Sequence, residues 1–345
     1  MKNRFFTHLF LITFLFSSLI LFLVSSEAVD GPAACQKNAA GDAILVTTGQ
    51  ANPFQIKGTS TDIDQCAEEP DEYKVKFYSV ALCLTEPYTA GGGTAPDYSS
   101  CTNILNTEKE VNLKPGIDAN LLDGEINLPL GSYTHLAIII DNHLKIKHKQ
   151  KYVLKGNESS GATIAGNTSG SGAWCWTIAS GITTYTGQTY DDAYETAQGI
   201  DPVTSGGTAA TARLKCGSSV SGKGFATEII DHFGEDATFV GFMNYGELDV
   251  ATDTGISGIE LAGNMLQADN TIATNEDHSR RIAQIYRYAT PVVITENTNS
   301  FKLKVTTYSS VSIDMATDAN ASHRIYGAKV GGDPFIIQVE TGTAD

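Results

Sequence analysis

Residues 125–147 read Glu-Ile-Asn-Leu-Pro-Leu-Gly-Ser-Tyr-Thr-His-Leu-Ala-Ile-Ile-Ile-Asp-Asn-His-Leu-Lys-Ile-Lys, the most hydrophobic stretch of the chain outside its N-terminus. On a two-residue period Leu136, Ile138 and Ile140 share one face, and Ala137 and Ile139 share the other. A strand apolar on both faces belongs in the middle of a sheet with a second layer to cover it. Pro129 and Gly131 punctuate its entry. Asp141-Asn142 marks its exit, which predicts a hairpin leading into Leu144–Ile146.

Working outward, Glu72–Cys83 alternates Tyr73, Val75 and Phe77 with Lys74, Lys76 and Tyr78, the pattern of a half-buried strand. Tyr88 to Ser100, with Gly91-Gly92-Gly93 and Pro96, is an insertion at a hairpin tip that a Cys83–Cys101 bridge would pinch off. Val111–Leu113 and Ile126–Leu128 read as short strands feeding the central one. The row Lys145, Lys147, Lys149, Lys151 and Lys155 reads as a solvated, aggregation-resistant sheet edge.

Strands of this length separated by turn signals predict a sandwich. Tyr73-Lys-Val-Lys-Phe-Tyr-Ser-Val-Ala-Leu, then Val111-Asn-Leu, then Leu128-Pro-Leu-Gly-Ser-Tyr-Thr-His-Leu together resemble the secreted bacterial β-sandwich domains of transthyretin or immunoglobulin-like type. In those domains a Leu-Pro-x-Gly-x-Tyr turn precedes an inner strand. The resemblance spans Tyr73 to Lys155 and implies a fold. Such domains share no activity, so it carries over no catalytic residue.

Upstream, Ala43–Thr47 is the one strand before Gln65. At the N-terminus, Lys2 and Arg4 precede an apolar run from Leu9 to Val24 and a small-residue stretch ending at Ala28, the three regions of a secretory signal at 1–28. The apolar run is also long enough to persist as an anchor. Downstream of it nothing approaches the length of a membrane span, so no span is expected after signal removal. The expected location is secreted, extracellular or cell-surface, with the periplasm as a further destination. A formal net charge of −16 makes nucleic acid and anionic lipid poor partners.

All six cysteines lie beyond the signal, which in an oxidising compartment argues for three disulfides. The local pairing is Cys35 with Cys66, Cys83 with Cys101 and Cys175 with Cys216, although Cys66 and Cys83 flank one strand and can exchange partners. Each such bridge closes a loop and constrains the unfolded chain by roughly 3 to 4 kcal/mol.

Four segments follow: the signal, an N-terminal β-sandwich domain at 29–155, a Gly/Ser/Thr-rich insertion at 156–221, and a C-terminal β-rich part at 222–345 that is either a second sandwich or the completion of the first. The insertion carries Trp174-Cys175-Trp176, and Tyr190–Gln198 is a short helical candidate. In the last segment Phe225, Ile229, Ile230 and Phe233 share a face at helical spacing, which predicts a helix stopped by Gly234. Ser279–Tyr288 suits helix or strand, and Pro291 should end either. Ala237–Val250, which contains Phe239–Phe242, and Val292–Thr295, Phe301–Tyr308, Val311–Met315 and Phe335–Glu340 read as strands, and Phe301-Lys-Leu-Lys-Val-Thr-Thr-Tyr echoes the pattern from Tyr73. The fold class expected is mainly β: a disulfide-stapled antiparallel β-sandwich with long loop-rich insertions and one or two short helices.

Chemistry is sparse. No Gly-x-Ser-x-Gly elbow is present, Gly170-Ser171-Gly172 being a flexible tripeptide, and there is no His-Glu-x-x-His or phosphate-cradling loop. His135, His143 and His148 would form a zinc cluster only with a further ligand and converging geometry. Asp62 with Asp64, Asp191 with Asp192, and Asp249 with Asp253 leave a bound calcium ion open, without the calcium-loop pattern; no other cofactor is expected. Asn157, Asn167 and Asn320 match the glycosylation acceptor pattern. Two functions fit. One is a non-catalytic structural protein of the cell exterior, self-associating or filament-forming through strand edges, with Val29–Gly41 or Phe335–Asp345 as the donated segment. The other is a module binding a glycan or cell-surface ligand, with Trp174 and Trp176 as an aromatic platform.

Overall fold

The computed structural model describes residues 32–45, 54–55, 62–63, 65–105, 107–117, 121, 128–155, 163–164, 173–179, 182–184, 214–217, 219–233, 239–248, 256–317 and 324–343. Among them the protein is mainly β, and its only helical turns are the 3-10 turns Tyr98–Ser100 and Glu276–His278. Ile126–Asn127, Tyr190–Gln198, the three glycosylation sequons, Asp64 and the acid pairs at 191–192 and 249–253 lie outside the described residues.

The strand Gly131–Asp141 is central, as its two apolar faces require. It pairs antiparallel with Glu72–Cys83 on one side and with Arg281–Ile294 on the other. Its inner face, Leu136, Ile138 and Ile140, is fully buried in the main core, while Ala137 and Ile139 join two small clusters on the outer face. Beyond Arg281–Ile294 the sheet continues through Ile259–Leu266 to Phe242–Glu247. This last strand lies within the stretch Ala237–Val250 expected as strand. The ten-stranded sheet thus draws strands from both sides of the 156–221 stretch.

The hairpin expected at Asp141-Asn142 is absent. Ile140 pairs with Phe77 and Ile146 with Tyr73, so 131–147 runs as one course along a single strand, with an irregularity at Asn142. The Asn142 side chain is buried and donates to the carbonyls of Ile230 (3.0 Å) and Ser279 (3.2 Å). It serves as an inserted tether rather than a turn residue, which is how a β-bulge re-aims a strand.

Phe225–Phe233 is not a helix. Ala226–Ile229 is a strand held between Ile182–Thr184 and His143–Lys147. Pairing on both edges outweighs an apolar spacing that fits either element. Ser279–Tyr288 likewise resolves as strand, and Arg281–Ile294 passes through Pro291. The register slips between Arg287 and Val292, so the missing N–H falls where the ladder is already broken. The lysine row is not an edge either, since His143–Lys147 and Lys149–Leu154 are both interior strands. Lys145 reaches Glu110 (2.7 Å), Lys147 reaches Glu72 (2.8 Å) and Lys151 reaches Asp42 (3.0 Å), so these three lysines of the row are ion-paired.

Over the inner face lie the antiparallel pair Thr298–Thr306 and Ile336–Thr343 and a four-stranded sheet containing Gln65–Glu68, Val311–Thr317 and Arg324–Gly332. Phe335 meets Tyr73 and Phe77 edge-on at 6.0 and 6.3 Å. Tyr286 and Tyr288 donate to the carbonyls of Phe335 and Ile337. A six-stranded sheet includes Ala43–Leu45, Lys149–Leu154, Ala173–Thr177 and Leu214–Gly217, so the Gly/Ser/Thr-rich stretch contributes strands as well as loops. Cys35–Cys66 and Cys83–Cys101 are bonded. Cys175 is also disulfide-bonded, and the residue across the ladder from it is Cys216.

Candidate functional site

The sequence-derived platform does not form as a pair. Trp176 is 2 % exposed and its indole N–H donates to the Ser221 carbonyl at 2.8 Å. Trp174 is half-buried, with the Lys149 ammonium 5.8 Å from its ring centroid. A ligand on this strand would therefore meet one ring. The histidines do not converge: His135 contacts Glu86, His143 contacts Asp141 at the surface, and His148 is inside. Among the described residues no group of three or more His, Cys, Asp or Glu side chains is placed to hold a metal ion.

What the fold does assemble is a polar cluster on the outer face of the large sheet. At one level across that face the registers align Cys83, His135, Arg287 and Glu260 on four neighbouring strands. One level further in stand Ala81, Ala137, Ile285 and Ala262. These mostly small side chains leave room for a strap, residues 84–100, to lie across the face, clasped at its root by Cys83–Cys101. Tyr88 and Tyr98 pack beneath it. Gly92 has φ +67°, and an added Cβ there would strike the Phe242 ring, so only glycine permits this approach.

The strap is latched by side chains from distant strands. Glu86 accepts from the Tyr245 hydroxyl and lies 3.3 Å from His135 Nε2. Arg287 pairs with Glu260 through Nε (2.6 Å) and stacks 4.1 Å over the Tyr245 ring. Tyr88 donates to Asn244 Oδ1 (3.2 Å), which also accepts from the Gly91 N–H (3.2 Å). Burial lowers the His135 pKa against the pull of Glu86. Burial and the Glu86 hydrogen bond raise the Tyr245 phenol, and burial takes Tyr88 up to about 12, so both tyrosines stay protonated. A carboxylate, an imidazole and a phenol meet here: Tyr245 donates to Glu86, while His135 has its Nε2 3.3 Å from Glu86 and its Nδ1 2.7 Å from the Thr134 hydroxyl. The contacts tie the strap to the neighbouring strands.

Sequence flagged His135 alone of this cluster. Glu86, Asn244, Tyr245, Glu260 and Arg287 stand far apart in the chain and share no local pattern. Two buried carboxyls also lacked any signal. Glu228 accepts from the Gly332 N–H, and burial pushes it up to about 8. Glu68 is in contact with the Lys37 ammonium, and burial outweighs that charge to push it up to about 7. Comparison with protein families, curated proteins and solved structures finds no match for the chain.

Proposed function

We propose that this is an exported, non-catalytic structural protein of the cell exterior that associates with copies of itself through sheet edges. The observation that carries this reading is the outer face of the large sheet, where charged and aromatic side chains from distant strands brace one another. The leader-like N-terminus, the disulfides and the acidic surface support export. Edges are available: among the described residues no strand pairs with the outer side of Phe242–Glu247, and Thr298–Thr306 and Ile336–Thr343 pair only with each other. Open backbone groups of this kind are the substrate of strand addition.

The donated-terminus version loses support. Cys35 is bonded to Cys66, and Ile336–Thr343 is already paired within the molecule. Edge-to-edge contact between copies is the form the reading now takes. Light scattering of the purified protein, with electron micrographs of the same sample, tests it. Concentration-dependent oligomers or polymers are expected, and a monomer at every concentration overturns it.

A further inference from the structure

Buried polar atoms without hydrogen-bond partners concentrate at one place. The segment holding Cys35 runs beside Gln65–Glu68, with the Cys35 N–H on the Ala67 carbonyl and the Ala67 N–H on that of Ala33, both at 2.9 Å. Two residues beyond each half of the Cys35–Cys66 bridge stand Lys37 and Glu68, their side chains in direct contact. The Glu68 side chain is completely buried, and apart from Lys37 neither of its oxygens has a partner. The Tyr152 hydroxyl, which feels the Glu68 charge, is also buried and unpartnered. The His148 ring is buried too, feels the charges of Asp71 and Lys37, and reaches the Glu69 backbone. Orphaned buried groups are costly, and a cluster of them calls for a chemical reason.

We propose that Lys37 and Glu68 condense into an intramolecular amide, a covalent brace beside the Cys35–Cys66 disulfide. Burial keeps the Glu68 carboxyl protonated over much of the neutral range, and a carboxylic acid is open to an amine in a way a carboxylate is not. Lys37 keeps more than a third of its side chain exposed, so the ammonium proton has a route to solvent. The freed amine attacks the Glu68 carboxyl carbon, a C–N bond forms, and the acid's C–OH bond breaks. The departing hydroxide leaves with a proton as water. One ammonium and one carboxylic acid give one amide, one water and one proton, with no oxidant or reductant. Holding the two groups in contact supplies the effective concentration that an intermolecular condensation lacks, and one turnover suffices. The amide also removes a buried acid that has no neutral partner.

The test is a proteolytic map of the reduced, denatured full-length protein after incubation at neutral pH. The expected result is a branched peptide joining Lys37 to Glu68, lighter than its two parts by one water, with no cleavage after Lys37. Lys37→Arg keeps the positive charge and should abolish the branch. Glu68→Gln should give the same branch by losing ammonia. Recovery of separate, unmodified Lys37 and Glu68 peptides from wild-type protein whose disulfides are intact overturns the proposal. It stands or falls independently of self-association, which scattering reads separately.

Discussion

At the scale of single residues, buried groups decide what can be changed. Trp176 fills a closed site, so Trp176→Ala should cost about 3–5 kcal/mol, measured by denaturant unfolding. Trp174→Ala should cost far less. If Trp174 serves a glycan, its substitution should remove the fluorescence response to that glycan while leaving stability nearly intact. Glu228 sits on the Gly331-Gly332 backbone, and an alanine Cβ at position 332 would meet Tyr73 Oη (2.7 Å), Leu144 Cδ1 (2.8 Å) and Glu228 Oε2 (3.0 Å). Gly332→Ala should therefore destabilise by about 1–3 kcal/mol, the usual cost of overpacking. Thermal melts of that variant resembling wild type would show that the carboxyl and the ring can move aside.

At the scale of elements, the bulge at Asn142 accounts for the missing hairpin, and the strap is the insertion expected between Cys83 and Cys101. The strap's contacts are a disulfide at its root and hydrogen bonds at its tip, with small side chains beneath. Replacing Cys83 and Cys101 by alanine together should lower stability by about 3 kcal/mol, the value for a loop of this size. The tyrosines beneath should become more exposed, which near-ultraviolet circular dichroism reads. An unchanged spectrum would mean that the Glu86–Tyr245 latch holds the strap unaided. Asn142 ties one strand to two others through backbone carbonyls, and Asn142→Ala should cost about 1–3 kcal/mol by leaving those acceptors unmet. The sequence marked this position as a turn because Asp-Asn is turn chemistry. Only the partner carbonyls, some 90 and 140 residues away, make it a tether.

At the scale of the whole molecule, the shifted groups act together on the pH dependence of stability. Glu228 is raised to about 8, and the free Glu68 carboxyl, before any condensation with Lys37, to about 7. Their stabilising share is complete below the ordinary carboxyl range and is lost as pH rises through those values. His148 is lowered to about 4 by burial, so its share is lost as pH falls from 6.5 toward 4. Asp141 falls to about 2 despite its burial because the His143 side chain and N–H and the Tyr78 hydroxyl hydrogen-bond it, and hydrogen bonds from Asn112 and Lys147 hold Glu72 at about 2. Their contributions are lost only in stronger acid. The depressed histidines His135 and His148 oppose the raised acids only below the ordinary imidazole range, so from about pH 6.5 to pH 8 the raised acids act alone and unfolding free energy should decline. Glu228→Gln should flatten the decline. A maximum above neutrality would contradict the burial of these acids.

The sequence by itself determined the β class and the central strand at Ile138, and it favoured the local pairing of Cys35 with Cys66 and Cys83 with Cys101 that the structure then decided. Alternation and loop closure are short-range properties, written in neighbouring residues. Tertiary structure alone decided that the Phe225 segment is a strand, that the lysine row lies on interior strands with Lys145, Lys147 and Lys151 ion-paired, and that Glu86, His135, Tyr245 and Arg287 meet. Pairing between strands a hundred or more residues apart is set by the register of the whole sheet, and no local pattern encodes it.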